Sequence, residues 1–437
     1  MAGAMDRRLA ELIAEYEVPG AALAYFHGGE THEFAAGTLN TATGVESTTD
    51  ALFQIGSVTK VWTATLLMRE IERGRLTLDT PVAEVLPGFQ VADPEVTGTV
   101  TIRHLLTHTS GIDGDLFLDT GRGDDCVAKY VEACAGLAQN HPLGATHSYC
   151  NSGFVIAGRV AETLGGKRWD DLVREQIAGP LGLTHTWTLP EDVLRFRAAM
   201  GHVNGAPAPQ WGLMRGMGPA GLISARAADV VAFARAHLEG GLLDDPRVMW
   251  DPQVDVPNPD GLGRHWGLGW IVDEWDGRRV ISHAGNTIGQ HAIVWAVPET
   301  GTVVCAAANG GYANAFTRAL GAELFAELDG LTVPAPPVPP ETPPQVDAAR
   351  FTGVYERAGA RITVSIKDGE PWLRHETTGV LAALQPEPQE SALVAVDGST
   401  FVCKLGGAPD WTSAVFYELP DGSPYVHMGA RATPRIS

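Results

Sequence analysis

Basic residues are scarce in this sequence of 437 residues, in which 31 Lys and Arg stand against 52 Asp and Glu, a net charge of −21 at pH 7. A nucleic acid or an anionic membrane surface requires a basic face on its partner, and no basic run occurs here. Long apolar segments are also missing: the sequence contains no run of about 20 apolar residues, which is the length needed to span a bilayer. We therefore expect neither nucleic acid nor a membrane as a partner.

Cysteine is rare as well. The five cysteines are scattered, odd in number and without a CxxC pair, which fits buried thiols in a reducing compartment better than disulfides or zinc ligands. Charges near residue 6 without a following apolar core argue against a signal peptide, so we expect a cytoplasmic protein. His104 and His108 are four residues apart but lack the glutamate of HExxH. We expect no metal and no other cofactor.

Proline is concentrated in one place, residues 334–344, where it accounts for seven of eleven residues. Such a segment forms a stiff, extended spacer. It predicts a large catalytic domain at 1–333, a linker at 334–344 and a small domain at 345–437. Short alternating apolar runs separated by turn signals predict that the last of these is an all-β module, a barrel or a sandwich.

The large domain is predicted to have an α+β fold. Helical patterns fill about 75–240, between two groups of strand patterns near the ends of the domain. The strand patterns cover 21–26, 30–36, 266–273, 278–283, 291–297 and 302–308. This order predicts an antiparallel sheet built from both ends and flanked by helices, with an inserted helical domain.

Ser57 and Lys60 form an SxxK motif where a loop (54–56) meets a predicted helix (58–73). At a helix N-terminus, free backbone N–H groups favour developing negative charge. Lys60 lies one turn further along the same face, within reach of the serine hydroxyl as a proton acceptor. The same motif also arises by chance, in which case it is a helix cap followed by a surface lysine.

Two further motifs carry polar groups. Alternation along an extended segment would turn Tyr149 and Asn151 to one side and Cys150, a packed thiol, to the other. His283 ends the predicted strand 278–283, and Gly285 follows two residues later, where glycine permits close backbone approach by a ligand. In isolation, each motif is explained better as ordinary structure: a buried aromatic beside a turn asparagine, or a histidine at a strand end before a turn.

The three motifs together indicate a function more specifically than any one of them alone. SxxK, then YxN about ninety residues later, then HxG on a late strand resemble the active-site set of the serine β-lactamase and penicillin-binding-protein superfamily. The flanking segments agree, namely 53–56, 101–111, 219–224 and 266–270. The chain is similar to the class C β-lactamase-like branch over about 1–330, and its tail resembles the lipocalin-like module appended to some of these proteins.

The resemblance implies a two-step acyl transfer through an acyl-Ser57 intermediate. By match to the family motifs, the backbone N–H groups of Ser57 and Asn286 would form the oxyanion hole. Asn151 would hold a substrate amide or the Lys60 ammonium. His283 would lie at the position of the substrate carboxylate or directly behind it.

The identity of the general base stays open at this level. A free lysine titrates near ~10.4 and a free tyrosine near ~10, so deprotonating either one at pH 7 has nearly the same cost. We expect Lys60 and Tyr149 to act as a coupled pair that shares its pKa values.

The family does not determine the substrate. Histidine in the third motif, where many members have lysine, is mostly neutral at pH 7 and suits an ester or neutral amide better than a carboxylate. We therefore predict a cytoplasmic serine acyl hydrolase or acyltransferase that takes a small-molecule or short-peptide ester, thioester or amide. Two alternatives remain: a β-lactamase or D-amino-acid-specific peptidase, and a non-catalytic binding protein on the same scaffold.

Overall fold

The computed structural model describes residues 2–379, 382, 387–406 and 410–437. Its α-helices are α1 (Ala2–Glu15), α2 (Thr59–Glu72), α3 (Val82–Val85), α4 (Pro94–Thr99), α5 (Ile102–Leu106), α6 (Cys126–Ala133), α7 (Asn151–Gly165), α8 (Trp169–Val173), α9 (Pro190–Val193), α10 (Gly218–Gly221), α11 (Ala227–Glu239) and α12 (Ala313–Leu328). Within the described residues, no helix has the length and apolar character needed to cross a bilayer.

The strands before the proline-rich segment are β1 (Gly20–His27), β2 (Glu30–Asn40), β3 (Val45–Glu46), β4 (Phe53–Gln54), β5 (Thr186–Trp187), β6 (His202–Val203), β7 (Ala206–Pro207), β8 (Ser224–Ala225), β9 (Val254–Asp255), β10 (His265–Trp266), β11 (Ile271–Trp275), β12 (Arg278–Asn286), β13 (His291–Val297) and β14 (Thr302–Ala308). Those after it are β15 (Gly353–Arg357), β16 (Ala360–Lys367), β17 (Glu370–Thr377), β18 (Gln389–Ala392), β19 (Val394–Ala395), β20 (Thr400–Cys403), β21 (Thr412–Glu418), β22 (Pro424–Met428) and β23 (Arg431–Pro434).

The central element is a nine-stranded sheet in the order β3-β2-β1-β14-β13-β12-β11-β10-β9. Every adjacent pair is antiparallel, and β1 pairs with β14, placing Ala21 opposite Ala308. Strands from the two ends of the large domain are therefore adjacent inside the sheet. The helices α2–α11 come from the part of the chain between these two groups of strands. The predicted α+β fold is confirmed.

Both faces of this sheet are covered, and the residues of β1 show how. Ala22 and Ala24 face the larger core, which includes α2, α7 and α11. Ala21 and Leu23 face a second core formed with α1 and α12. Side chains alternate along a strand, so an almost entirely apolar strand such as β1 supplies both cores at once.

The C-terminal module is all-β, as predicted, but it consists of two sheets rather than a closed barrel. The sheets are β15-β16-β17-β18 and β19-β20-β21-β22-β23. The chain passes directly from one to the other at Leu393, between β18 and β19. At the opposite edge they meet at a single bridge, Tyr355 to Arg435. That seam is too short to make a continuous barrel wall, so the sandwich alternative describes the module better.

Residues 331–346, which contain the proline-rich segment, form no helix or strand. The segment lies between the large α+β part and the β module. The exact boundaries of the domains stay a prediction.

The second core offers a test of the fold. Phe325 on α12 is fully buried and packs edge-to-face against Trp275 and Trp295, at ring-centroid distances of 5.3 and 6.0 Å. Phe325→Ala leaves a cavity against the sheet and should lower the free energy of unfolding by about 3–5 kcal/mol. Leu194→Ala, at a side chain that is 82% exposed, should change it by less than about 0.5 kcal/mol. Denaturant unfolding measures both, and equal effects would contradict the assigned core.

Candidate active site

Ser57 lies in a tight 3-10 turn, Gly56–Val58, which connects β4 to the buried helix α2. Strand β4 is held in place by β8, with Phe53 paired to Ala225 and Gln54 to Ser224. The serine is partly exposed, while the helix that follows it is almost entirely buried. The turn therefore presents the hydroxyl at the edge of the core.

Lys60 is fully buried and makes three contacts through its amine. Nζ lies 3.0 Å from Ser57 Oγ and donates to Asn151 Oδ1 and to the carbonyl oxygen of Ala220, both at 2.7 Å. As the spacing predicts, Lys60 lies within hydrogen-bond distance of Ser57, and Asn151 lies within hydrogen-bond distance of Lys60. Ala220 belongs to α10, in a segment that the sequence marked only as a family flank.

Tyr149 and Asn151 both face Lys60, and Cys150 turns away from it, as alternation predicts. Cys150 turns into the core, where its thiol donates to the carbonyl of Ile112 at 3.3 Å and accepts from the Gly153 N–H at 3.1 Å. Asn151 is the first residue of α7, so its amide projects from a rigid helix end. The Tyr149 ring centroid is 4.8 Å from Lys60 Nζ.

Gly285 allows the serine turn to approach β12. A Cβ at this position would lie 2.0 Å from the Ile55 carbonyl oxygen and 2.6 Å from the Ser57 nitrogen. Gly56, in the serine turn, has a positive φ of +51°, and a Cβ at this position would lie 2.8 Å from the Asn286 nitrogen. The two glycines together bring the backbone of Ser57 beside that of Asn286.

The HxG motif differs from expectation in one respect. The sequence predicts a strand that ends at His283, but β12 continues to Asn286, because β13 pairs Ala292 with Gly285 and His291 with Asn286. The motif is therefore held by sheet pairing with β13 rather than free in a turn, while the pairing of β12 with β11 ends at Ser282. This gives Gly285 a rigid position opposite Ser57.

His283 is 1% exposed and lies behind Tyr149 rather than on an open surface. Its Nδ1 donates to the Ala284 carbonyl at 2.7 Å, and its ring lies 6.3 Å from the Tyr149 ring and 5.5 Å from that of Trp266. Burial, with a smaller contribution from Lys60, lowers the pKa of His283 to about 3. At neutral pH the third motif carries no positive charge.

Burial affects the two candidate bases in opposite directions. It holds the pKa of Lys60 well below the ordinary value of 10.5, and the guanidinium of Arg431 acts in the same sense. It raises the pKa of Tyr149 above its ordinary value, although the Ser57 hydroxyl and Arg431 oppose that shift. Desolvation penalises the charged form of each group, which is an ammonium in one case and a phenolate in the other.

Sequence reasoning missed the charged residues nearest to this site. Arg431 on β23 has its guanidinium carbon 5.5 Å from the Tyr149 ring centroid and donates to Asp115 at 2.6 Å. Arg357 on β15 donates to the other oxygen of Asp115 at 2.7 Å. Each is a single charge outside any motif, so nothing in the local sequence indicated its position.

The histidines considered as a metal pair have other roles. His104 closes the capping box of α5 with Thr101, and His108 Nδ1 accepts the backbone N–H of Cys150 at 2.9 Å. No group of three or more His, Cys, Asp or Glu side chains in the described part of the chain is arranged to hold a metal ion.

Similarity to known proteins identifies the family of the chain. The family model described as Beta-lactamase matches residues 5–327. The chain belongs to the β-lactamase family. It is 46% identical over 370 residues to "Penicillin-binding protein 4" of Amycolatopsis lactamdurans, an alignment that covers 81% of this chain and 97% of the relative.

Solved structures of the same fold include relatives with different names. The crystal structure of SurE with D-Leu is 27% identical with a TM-score of 0.80, covering 100% of this chain and 99% of that one. A D-amino acid amidase from Ochrobactrum anthropi SV3, complexed with L-phenylalanine amide, is 25% identical with a TM-score of 0.60, covering 71% and 91%. SurE thus aligns with the C-terminal module as well as with the β-lactamase-family part.

The close approach at Gly285 predicts a specific loss. Gly285→Ala would force the Ser57 turn away from β12 and displace a backbone donor, which in acyl-transfer enzymes costs about 10²–10³ in rate. We expect acylation of the protein by an activated ester to slow by that factor while folding is retained. Gly88→Ala, where an added Cβ meets no atom within 4 Å, should label at the wild-type rate. Equal rates would mean that the two backbones need not touch.

Proposed function

We propose that the protein is an active-site-serine acyl hydrolase or acyltransferase that works through an acyl-Ser57 intermediate. The observation that carries the proposal is the arrangement around the Lys60 amine. A neutral amine has two N–H donors and one lone pair. Asn151 and the Ala220 carbonyl take the two donors, which leaves the lone pair for the Ser57 hydroxyl at 3.0 Å.

In the proposed first step, the proton of Ser57 moves to Lys60 Nζ while Oγ forms a bond to the substrate carbonyl carbon. The resulting oxyanion is stabilised by the backbone N–H groups of Ser57 and Asn286. When the bond to the leaving group breaks, that group takes a proton from the Tyr149 hydroxyl, and Tyr149 regains one from the Lys60 ammonium. Water or another acceptor then attacks the acyl-enzyme by the reverse sequence.

The opposite pKa directions favour this division of roles. A buried amine with a lowered pKa suits a base, because burial favours the neutral form that can accept the serine proton. A buried phenol with a raised pKa keeps its proton and can deliver it. We therefore propose Lys60 as the general base and Tyr149 as the proton donor, in place of a coupled pair in which either residue could be the base.

The substrate class remains a proposal in two forms. A neutral His283 favours a carboxylic ester, thioester or uncharged amide over a substrate held by a carboxylate at the third motif. The D-amino acid amidase and the SurE complex with D-Leu favour a second candidate, an acyl donor whose reacting residue has the D configuration. A cytoplasmic location also stays a prediction, and the five thiols, all buried and unpaired, are consistent with it.

The acyl-enzyme can be observed directly. After brief exposure to a small activated ester, the intact mass of the wild type should increase by one acyl group, and that of Ser57→Ala should not. Lys60→Met, which keeps the length of the side chain but removes the amine, should slow labelling about 10²–10⁴-fold. Ser282→Ala, on the neighbouring strand, is the matched control and should label normally. Equal adducts on wild type and Ser57→Ala would refute Ser57 as the nucleophile.

Stereochemistry separates the two substrate candidates. Paired phenylalanine esters and amides of D and L configuration, together with a chromogenic cephalosporin, are to be compared by kcat/KM. Preference for the D member of each pair would support the second candidate. Equal turnover of D and L esters, with no turnover of the cephalosporin, would support the general esterase and exclude the β-lactamase alternative. Failure of every donor to acylate Ser57 would favour the non-catalytic reading.

A further inference from the structure

We propose that the C-terminal β module completes the active site: its hairpin β22–β23 positions Tyr149, and Arg431 is the positioning residue that links this hairpin to the site. The proposal rests on the function above for its kinetic consequences. Its structural part stands on contacts between the two parts of the chain.

The first set of contacts is a backbone clasp over residues 147–149. The Tyr149 N–H donates to the Ala430 carbonyl at 2.9 Å, and the Ala432 N–H donates to Ser148 Oγ at 3.2 Å. The His147 carbonyl lies 3.2 Å from Nε2 of His427. The segment that carries Tyr149 is thus held at successive residues by the tip and sides of one hairpin.

The tip of that hairpin has an unusual backbone. Gly429 and Ala430 connect β22 to β23, and both have positive φ, 57° and 68°. Two-residue hairpin connections favour this geometry, but an alanine in the left-handed region is strained. The strained residue is the one whose carbonyl accepts the Tyr149 N–H. Strain of this kind persists only where surrounding contacts over-determine it.

The second set of contacts is a buried ion triad. Asp115, whose side chain is 4% exposed, receives one bond from Arg431 and one from Arg357. The two arginines belong to the module, and the aspartate belongs to the β-lactamase-family part. A buried carboxylate without such partners would carry a large desolvation cost. Asp115 therefore favours the docked module strongly, because both of the described cations that pair with it belong to the module.

The triad also sets the electrostatics beside the reacting groups. Within the triad two guanidinium groups outweigh one carboxylate, and the Arg431 guanidinium is the one that lies beside the Tyr149 ring. That field opposes protonation of Lys60, and Arg431 is the largest charge acting on it in this sense. The other titratable groups near these two residues are His108, Cys150 and His283. Asp113 lies behind them, where its Oδ1 accepts the Asp115 N–H at 3.3 Å and burial raises the pKa of its carboxyl. Burial keeps both histidines neutral and the thiol protonated.

The sign of the pH effect follows from this charge. Lys60 must be neutral to act as the base, so the rate of acylation falls below the pKa of Lys60. Removing the Arg431 charge raises that pKa, because the ammonium is no longer opposed by a neighbouring cation. The acidic limb of the acylation profile should therefore move to higher pH in Arg431→Gln. Activity lost near neutrality should return at alkaline pH.

The test uses the full-length protein and three variants. Arg431→Gln removes the charge, Arg431→Lys keeps it, and Arg318→Ala breaks a different ion pair between the same two parts, with Asp410 at 2.7 Å. Two readouts are measured: the pH profile of acylation by an activated ester, and hydrogen exchange of the backbone at 146–150, which reports the clasp on Tyr149 without any reaction.

We expect Arg431→Gln to shift the acidic limb upward by roughly half a pH unit or more and to speed exchange at 146–150. In Arg431→Lys the acidic limb should return to its wild-type pH, and Arg318→Ala should change neither readout. A uniform loss of rate without a shift, or an equal shift in the Gln and Lys variants, would overturn the electrostatic role. Unchanged exchange in Arg431→Gln would overturn the positioning role. A wild type that is never acylated would refute the proposed function, and the exchange result would still decide the positioning role.

Discussion

The arrangement of the site depends on the burial of the Lys60 amine. Among the residues that the structure describes, no carboxylate bonds to it, and its acceptors include an amide oxygen and a backbone carbonyl. An ammonium in that position would be desolvated without a direct counter-charge, which is unfavourable by several kcal/mol or more. A neutral amine has the right number of donors for its surroundings and one lone pair to spare. The helix α2, the start of α7 and the short helix α10 all contribute to this one environment.

Close packing of backbone against backbone is the second constraint on the position of Ser57. Gly56 and Gly285 bring the serine turn against β12, where any larger residue would collide with main-chain atoms. Because β12 is an interior strand of a nine-stranded sheet, the surface that the turn rests on cannot easily move. Ser57, the proposed nucleophile, is therefore located by the rigid sheet on one side and by the buried lysine on the other.

The β module changes how the site is understood. Treated as a sequence, the tail carried no chemical signal and could have been a separate unit. In the structure it supplies the cations that satisfy Asp115 and a carbonyl that accepts the Tyr149 N–H. His283 is neutral, so the third motif contributes no cation, whereas Arg431 of the β module introduces one beside Tyr149. The charge at the site is consequently a property of both parts of the chain.

The sequence by itself determined the α+β fold, the meeting of terminal strands in one sheet, the all-β character of the tail, and the residues Ser57, Lys60, Tyr149 and Asn151 that the structure brings together. These features follow from local periodicity, or from motifs whose members are a helical turn or two residues apart. Tertiary structure decided the rest. It extended β12 beyond His283, because pairing with β13 overrode the turn signal, and it made the module a pair of sheets. It also separated the pKa values of Lys60 and Tyr149 and joined Asp115 to Arg357 and Arg431. Burial and contacts between residues hundreds of positions apart depend on how the whole chain packs, and no local pattern encodes them.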